Sequence, residues 1–385
     1  MKLTDNYKSA KESFINNCVK CGNCIKSCKI IKYTGIDAGY GEIQDSIISY
    51  LKGGEGLLPG AEKKVSSCMR CFGCLDIDCA AGVTSTLINE LVDFETENRK
   101  EKPWDMELYP PHEKLARAGT TAKEYERIMS EKIEKGADVL FFPGCNVYKQ
   151  PDKLLNALVI MDEIGIPYSF APGMKYCCGW TIRGRSGDAE WLAGAASMLM
   201  GHIEKLEVKK AVFWCPTCMC VINDRIKKFY DPRFECVTFG QFILENIKKL
   251  SFPAAKPQKV TYHEPCKTCY MGIDAAEDNS VRKILKMIPG TELVEMEHHK
   301  RDDTMCCGCS AIDKAFETGD KMTVARLKEA AATGAGALID VCHNCHWIFV
   351  PARNNHPGEG LDINIVNYTG YITEAMGKPR KDTLL

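Results

Sequence analysis

The sequence predicts two α/β lobes, each a parallel sheet with helices, behind a mainly α-helical N-terminal module. Three observations predict this. Apolar strand-like runs alternate with helical periodicity over residues 138–250, and the alternation repeats over 260–370. Each repeat contains a Cys-Cys-Gly triplet, at Cys177, Cys178 and Gly179 and again at Cys306, Cys307 and Gly308. The first 98 residues instead carry two closely spaced cysteine runs around a helical spacer. A chain of 385 residues is also too long for one ordinary core.

The N-terminal module, residues 1–98, is defined by its cysteines. Cys18, Cys21, Cys24 and Cys28 form a C-x2-C-x2-C-x3-C run, and Cys68, Cys71, Cys74 and Cys79 repeat it with one more residue before the last. Cysteines at intervals of three let one loop wrap three corners of a cubane cluster. In two-cluster ferredoxins the fourth cysteine of a run serves the other cluster. By that logic Cys18, Cys21, Cys24 and Cys79 hold one [4Fe–4S] cluster, and Cys68, Cys71, Cys74 and Cys28 hold the second. Zinc ribbons use paired rather than tripled spacings, which disfavours zinc. The proline that usually follows the fourth cysteine is replaced by Lys29 and Ala80. The spacer GEIQDSIISYLKG reads as a helix stopped by Gly53 and Gly54. The module therefore resembles the helical ferredoxins of electron-transfer subunits rather than the compact β-rich kind. Such a module conducts electrons and assigns no chemistry of its own.

Residues 99–137 are charged, contain Pro103, Pro110 and Pro111, and read as a linker ending in a surface helix. The first lobe, 138–250, opens with DVLFFPGC, a buried strand broken at Pro143 and Gly144. A helix follows over PDKLLNALVIMDEIG, with Asp152 as candidate cap and Gly165 as stop. IPYSF is a strand, GDAEWLAGAASMLMGHIEKL a helix, and KAVFWCPTC a strand ending in Cys215 and Cys218. After a connector at 251–259, the second lobe replays the order: KVTYHEPC, NSVRKILKMIPG, TELVEMEHH, DKMTVARLKEAAATG and ALIDVCHNC, the last ending in Cys342 and Cys345. Residues 371–385 read as a tail, frayed over KPRKDTLL at 378–385.

Open α/β sheets gather ligands beyond the carboxyl ends of their strands, which is where these cysteines fall. Each lobe thereby converges five sulfurs: Cys145, Cys177, Cys178, Cys215 and Cys218 in the first, and Cys266, Cys306, Cys307, Cys342 and Cys345 in the second. Five exceeds the need of a cubane or of tetrahedral zinc. Neighbouring cysteines can serve two irons of an unusual cluster, and a following glycine would let the backbone approach the metal closely.

At these residues the sequence resembles the heterodisulfide reductase family, whose catalytic chain carries two CCG domains. Here 31 residues separate Cys145 from Cys177 and 36 separate Cys178 from Cys215; the second copy has 39 and 34. The order of modules is similar to the fused, membrane-partnered form of that catalytic chain, and glycolate oxidase iron–sulfur subunits share it. The resemblance implies a noncubane [4Fe–4S] cluster on each five-cysteine set. It further implies that the paired noncubane centres cleave a disulfide, that of coenzyme M and coenzyme B or an analogue, while the two cubanes deliver electrons. Both five-cysteine sets are complete, which favours an active enzyme. The alternative is an electron-transfer subunit linking a dehydrogenase or flavoprotein to a quinone-side membrane partner.

The composition sets further expectations. A net charge of −1 leaves no electrostatic footprint for nucleic acid. No apolar run approaches the length of a membrane span and the start lacks an apolar leader, so a cytoplasmic protein is expected, peripheral on a membrane through a partner at most. Twenty-two cysteines in a reducing compartment point to soft-metal sites. No GxGxxG fingerprint is present, so flavin or nicotinamide belongs to other subunits of a multi-subunit complex: a flavoprotein, dehydrogenase or membrane cytochrome.

Four cysteines remain outside the clusters: Cys220, Cys236, Cys269 and Cys309. They read best as small buried hydrophobes, the alternative being that Cys269 and Cys309, within three residues of expected ligands, shield or adjust a cluster. Arg183 and Arg185, just after the first CCG triplet, are candidate contacts for an anionic substrate. His298, His299, Lys300 and Arg301 form a second basic run, more simply read as a solvated turn. His263, His343 and His346 lie near ligand cysteines, as proton donors or as hydrogen-bonded supports of the sites.

Overall fold

The computed structural model describes residues 3–74, 77–98, 110–180, 189–228, 230–274, 279–298, 304–311 and 315–381. Helices dominate the N-terminal part: Leu3–Asn17, Tyr40–Leu51, Pro59–Ser66 and Ser85–Asn98 pack together around Phe14, Ile43, Ile47 and Leu91. The Tyr40–Leu51 helix ends before Gly53, whose φ of 108° is open only to glycine at low cost. Pro59 starts its helix at a position where no N–H is needed.

Two four-stranded sheets follow. The first contains β1 (Val139–Phe142), β2 (Tyr168–Phe170), β3 (Lys210–Phe213) and β4 (Glu235–Thr238), in the order β2-β1-β3-β4. The second contains β5 (Gln258–Tyr262), β6 (Thr291–Leu293), β7 (Ala337–Asp340) and β8 (Asn364–Asn367), in the matching order β6-β5-β7-β8. Every pairing within them is parallel. The continuous apolar run of β1 arises because helices cover both of its faces. All four of its residues are buried, and each buried phenylalanine contributes about 1.5–3 kcal/mol.

The lobes are clasped reciprocally. Helix Phe239–Glu245, which follows the first sheet, packs on helix Ser280–Met287 of the second lobe. Helix Tyr368–Ala375, which follows the second sheet, packs on Pro151–Ile164 of the first. Thr369 and Thr373 donate to the carbonyls of Lys153 and Asn156 at 3.3 and 3.4 Å.

Several sequence expectations need adjusting. The 99–137 stretch contains, in its described part, helices Pro110–Ala118 and Ala122–Met129, which bury Ala116 and Ile128 in the main core rather than standing free. Asp152 does not cap its helix. Gln150 occupies the cap without a side-chain bond, and Asp152 pairs with the buried Lys153 at 2.8 Å, whereas Gly165 is the expected left-handed stop. The tail is not frayed through 381: Asn156 exchanges two 2.9 Å hydrogen bonds with the Lys381 backbone, and Lys378 reaches Glu163 at 2.7 Å. Among the described residues no helix is long and apolar enough to cross a membrane.

Candidate metal centres

The N-terminal cysteines form two neighbourhoods. Cys18 feels the charges of Cys24, Cys79 and Cys21, so the last cysteine of the second run joins the first triplet. Cys28 feels those of Cys68 and Cys74, so the exchange is mutual. Burial pushes the Cys28 thiol up to about 11, while Cys21 is exposed at the protein's edge. Loop conformation achieves this wrapping: Lys20, Arg70 and Phe72 all take positive φ, of 56°, 51° and 68°. Arg70 is buried and paired with Asp93.

In the first lobe the five expected cysteines converge at the carboxyl ends of β1 and β3. The sulfurs of Cys145 and Cys177 are 3.9 Å apart, those of Cys178 and Cys218 are 3.5 Å apart, and Cys215 bonds Cys218. The second lobe repeats this, with the free thiol of Cys306 in hydrogen-bonding contact with Cys266 and Cys307, and that of Cys345 with Cys307 and Cys342. All ten are buried. Cys145, Cys178, Cys218, Cys266, Cys307 and Cys345 are each pushed well above the ordinary thiol range, first by a neighbouring cysteine. Thiolates so crowded in a buried space repel one another unless a cation sits among them. A multi-iron cluster supplies that cation, so the donor set fits the group.

The glycines act differently from expectation. Gly179 and Gly308 have φ of 83° and 91°, but a Cβ there would strike helices: Leu192 Cα at 3.0 Å and the Gly319 carbonyl at 2.3 Å. They let the next crossover helix come close. It is Gly144 whose absent side chain makes room among the sulfurs, since a Cβ would lie 2.8 Å from Cys215 Cβ and 3.3 Å from Cys218 Sγ.

The centres are connected. Cys28 and Cys71 pack into the same buried cluster as Cys266, Cys306 and Cys307. Cys71 is raised by burial and then by the charge of Cys306. Lys267, beside Cys266, donates to the Arg70 carbonyl at 2.9 Å. The two lobes meet at Trp214 and His343, which neighbour Cys215 and Cys342 and whose rings are 5.9 Å apart. Burial, with Lys149, His112 and Lys153 nearby, drives His343 down to about 3, so it is neutral near pH 7. Neither of its ring nitrogens has a hydrogen-bond partner among the described residues. His346 instead bonds Asp340 at 2.8 Å.

Of the other candidates, Arg183, Arg185, His299, Lys300 and Arg301 lie outside the described residues, and His298 is exposed. Cys220 is fully buried in helix Pro216–Asp224, and burial pushes it to about 11, as it does Cys236. Cys269 is buried and Cys309 half-buried. Sequence reasoning missed a buried ionic network beside Cys266. There Glu264 accepts from Arg282 and, at 3.5 Å, from Arg326, with all three side chains at most 1% exposed.

The cysteine-rich CCG domain family matches residues 139–223 and 260–349. Over 97% of both chains the sequence is 25% identical to a subunit of the dihydromethanophenazine:CoB–CoM heterodisulfide reductase of Methanosarcina barkeri. It is 23% identical to a subunit of the fumarate reductase (CoM/CoB) of Methanothermobacter marburgensis, covering 94% of this chain and 72% of that one. It is also 23% identical to a probable glycolate oxidase iron–sulfur subunit of Bacillus subtilis, over 95% of both.

Proposed function

Because the chain carries two CCG domains and is related along nearly its whole length to a heterodisulfide reductase subunit, we propose that it is an iron–sulfur oxidoreductase component that reduces a disulfide within a larger complex. The observation that carries the proposal is the convergence of two complete, buried five-sulfur sets, one at the end of each sheet.

In this reading Cys18, Cys21, Cys24 and Cys79 hold one cubane cluster, and Cys68, Cys71, Cys74 and Cys28 the other. Cys145, Cys177, Cys178, Cys215 and Cys218 hold one noncubane cluster, and Cys266, Cys306, Cys307, Cys342 and Cys345 its counterpart. When bound, these clusters supply one-electron transfer and a Lewis-acidic iron able to take up a thiolate. The protein's own residues order the sites. The exposed Cys21 puts the first set where a donor protein can reach it, and Cys71 seats the second set against Cys266 and Cys306. Burial of all ten CCG cysteines keeps water from the sulfurs. Between the lobes, neutral His343 offers a ring N–H to a bound sulfur compound rather than a charged proton donor. A cytoplasmic protein drawing electrons from a flavoprotein, dehydrogenase or membrane cytochrome is consistent with this arrangement.

The test is oxidation of reduced viologen by the anoxically purified, iron-loaded chain, with the coenzyme M–coenzyme B disulfide and other small disulfides as acceptors. Turnover with one of them is expected. None with any, at full iron content, would refute disulfide reduction in favour of a relay.

A further inference from the structure

We propose that His263 directs its Nε2–H into the centre lined by Cys307 and Cys345, and so holds the second five-cysteine centre at a higher reduction potential than the first. This rests on the reading above that both sites carry iron–sulfur clusters.

His263 is completely buried, and one of its ring nitrogens lies within 4.8 Å of the sulfurs of both Cys307 and Cys345. An imidazole so placed either ligates metal through a lone pair or donates an N–H to sulfur. Arg326 decides between these roles. Its Nε donates to Nδ1 of His263 at 3.0 Å. A guanidinium has no acceptor and keeps its protons, so Nδ1 must be the accepting nitrogen. A neutral ring whose Nδ1 accepts carries its proton on Nε2. The ring is neutral because an imidazolium, protonated on both nitrogens, has no lone pair with which to accept from Arg326. Nε2 makes no hydrogen bond among the described residues, the Cys307 and Cys345 sulfurs included, which leaves its N–H for the sulfur of a cluster held there.

The ring is also held in place. Phe349 meets it edge-on at 4.9 Å, and Arg326 is anchored by Glu329 at 2.9 Å as well as by Glu264. The first lobe has no such group at the matching place. Phe142 stands three residues before Cys145, as His263 stands three before Cys266; Phe142 ends β1 and His263 directly follows β5. Phe142 offers only an apolar ring, packed on Phe213 at 5.6 Å. An N–H aimed at a cluster sulfur stabilises the more negative, reduced state, which raises the potential. The structure thus makes the two centres unequal, with the second, beside Cys71, the stronger electron acceptor.

The test uses the full iron-loaded chain, its centres followed by electron paramagnetic resonance during a redox titration. His263→Phe copies the first lobe, and His263→Gln keeps an N–H donor. In His263→Phe one midpoint should fall until the oxidised-to-reduced ratio at the wild-type midpoint rises about tenfold, about 59 mV for one electron. The other midpoints should not move, and His263→Gln should retain most of the wild-type value. An unmoved midpoint in His263→Phe, or an equal fall in both variants, would overturn the proposal. A second measurement does not depend on the phenylalanine variant loading its iron. Protein labelled with 15N-histidine should show a weak nitrogen coupling in pulsed resonance that disappears in His263→Gln. No difference, or a coupling strong enough for direct ligation, would contradict the donor role. Iron content separates the failures: a chain lacking the second centre refutes the cluster reading, whereas a full complement with unmoved midpoints refutes only the role of His263.

Discussion

The two lobes share a frame and differ in what they place around the same five sulfurs. Both run their strands in matching order and follow β1 and β5 with the loop that carries the leading cysteine. In the first lobe the residues two and three before the leading cysteine are Pro143 and Phe142. In the second they are Glu264 and His263, with Arg282 and Arg326 buried beside them. Across the strand pair the first lobe has Phe213 and the second has Asp340, bonded to His346 and Asn367 at 2.8 Å. The backbone converges the sulfurs, while the side chains beneath them set the charge and hydrogen bonding that the sulfurs feel. A duplicated fold can therefore hold two like centres in unlike surroundings.

The comparison breaks most sharply at the ionic network. Glu264→Gln leaves Arg282 and Arg326 buried with one fewer counter-charge and should destabilise the second lobe by about 3 kcal/mol or more. Pro143→Ala at the matching place should cost under about 1 kcal/mol. Hydrogen exchange, which reads each sheet separately, checks both. Next come the CCG glycines. Gly308→Ala drives a Cβ to 2.3 Å from a backbone oxygen and should cost about 2–3 kcal/mol, against about 1–2 for Gly179→Ala, whose nearest atom is at 3.0 Å. Equal losses would mean that the helices pack alike on both lobes.

A smaller effect concerns the end of the chain, which is tied to the first lobe through Asn156. Asn156→Ala removes both bonds to the Lys381 backbone, for about 1–2 kcal/mol, and should expose residues 378–381 to trypsin without loosening β5 to β8. The smallest effect is acid release of the same contact. Glu124 is lowered from 4.5 to about 2, first through its hydrogen bond with Lys381. A carboxylate depressed in the folded state contributes fully above about pH 4.5, and the contribution is lost as pH falls towards 2. Amide protection at 378–381 should fade in that window, and Glu124→Gln should abolish the pH dependence.

Much of this was legible in the sequence because its signals are local. The triple cysteine spacings and the apolar runs that end in cysteine mark the cysteines that the fold brings together and six of the strands. β4 and β8 were missed: ECVT and NIVN are short, and only their last residues, Thr238 and Asn367, announce the helices they cap. The Glu264–Arg282–Arg326 network was invisible for another reason. Charged residues scattered over 62 positions read as surface until folding brings them together. The anchoring of the tail is likewise a contact across 225 positions, beyond any local pattern.

The central claim is that both lobes carry a cluster on five sulfurs. Iron and acid-labile sulfide in the anoxically purified chain test it most directly, alongside Cys178→Ser in the first lobe and Cys307→Ser in the second. The account predicts about sixteen irons per chain, falling by about four in either variant. About eight irons, unchanged by both substitutions, would confine the clusters to the helical module and contradict it.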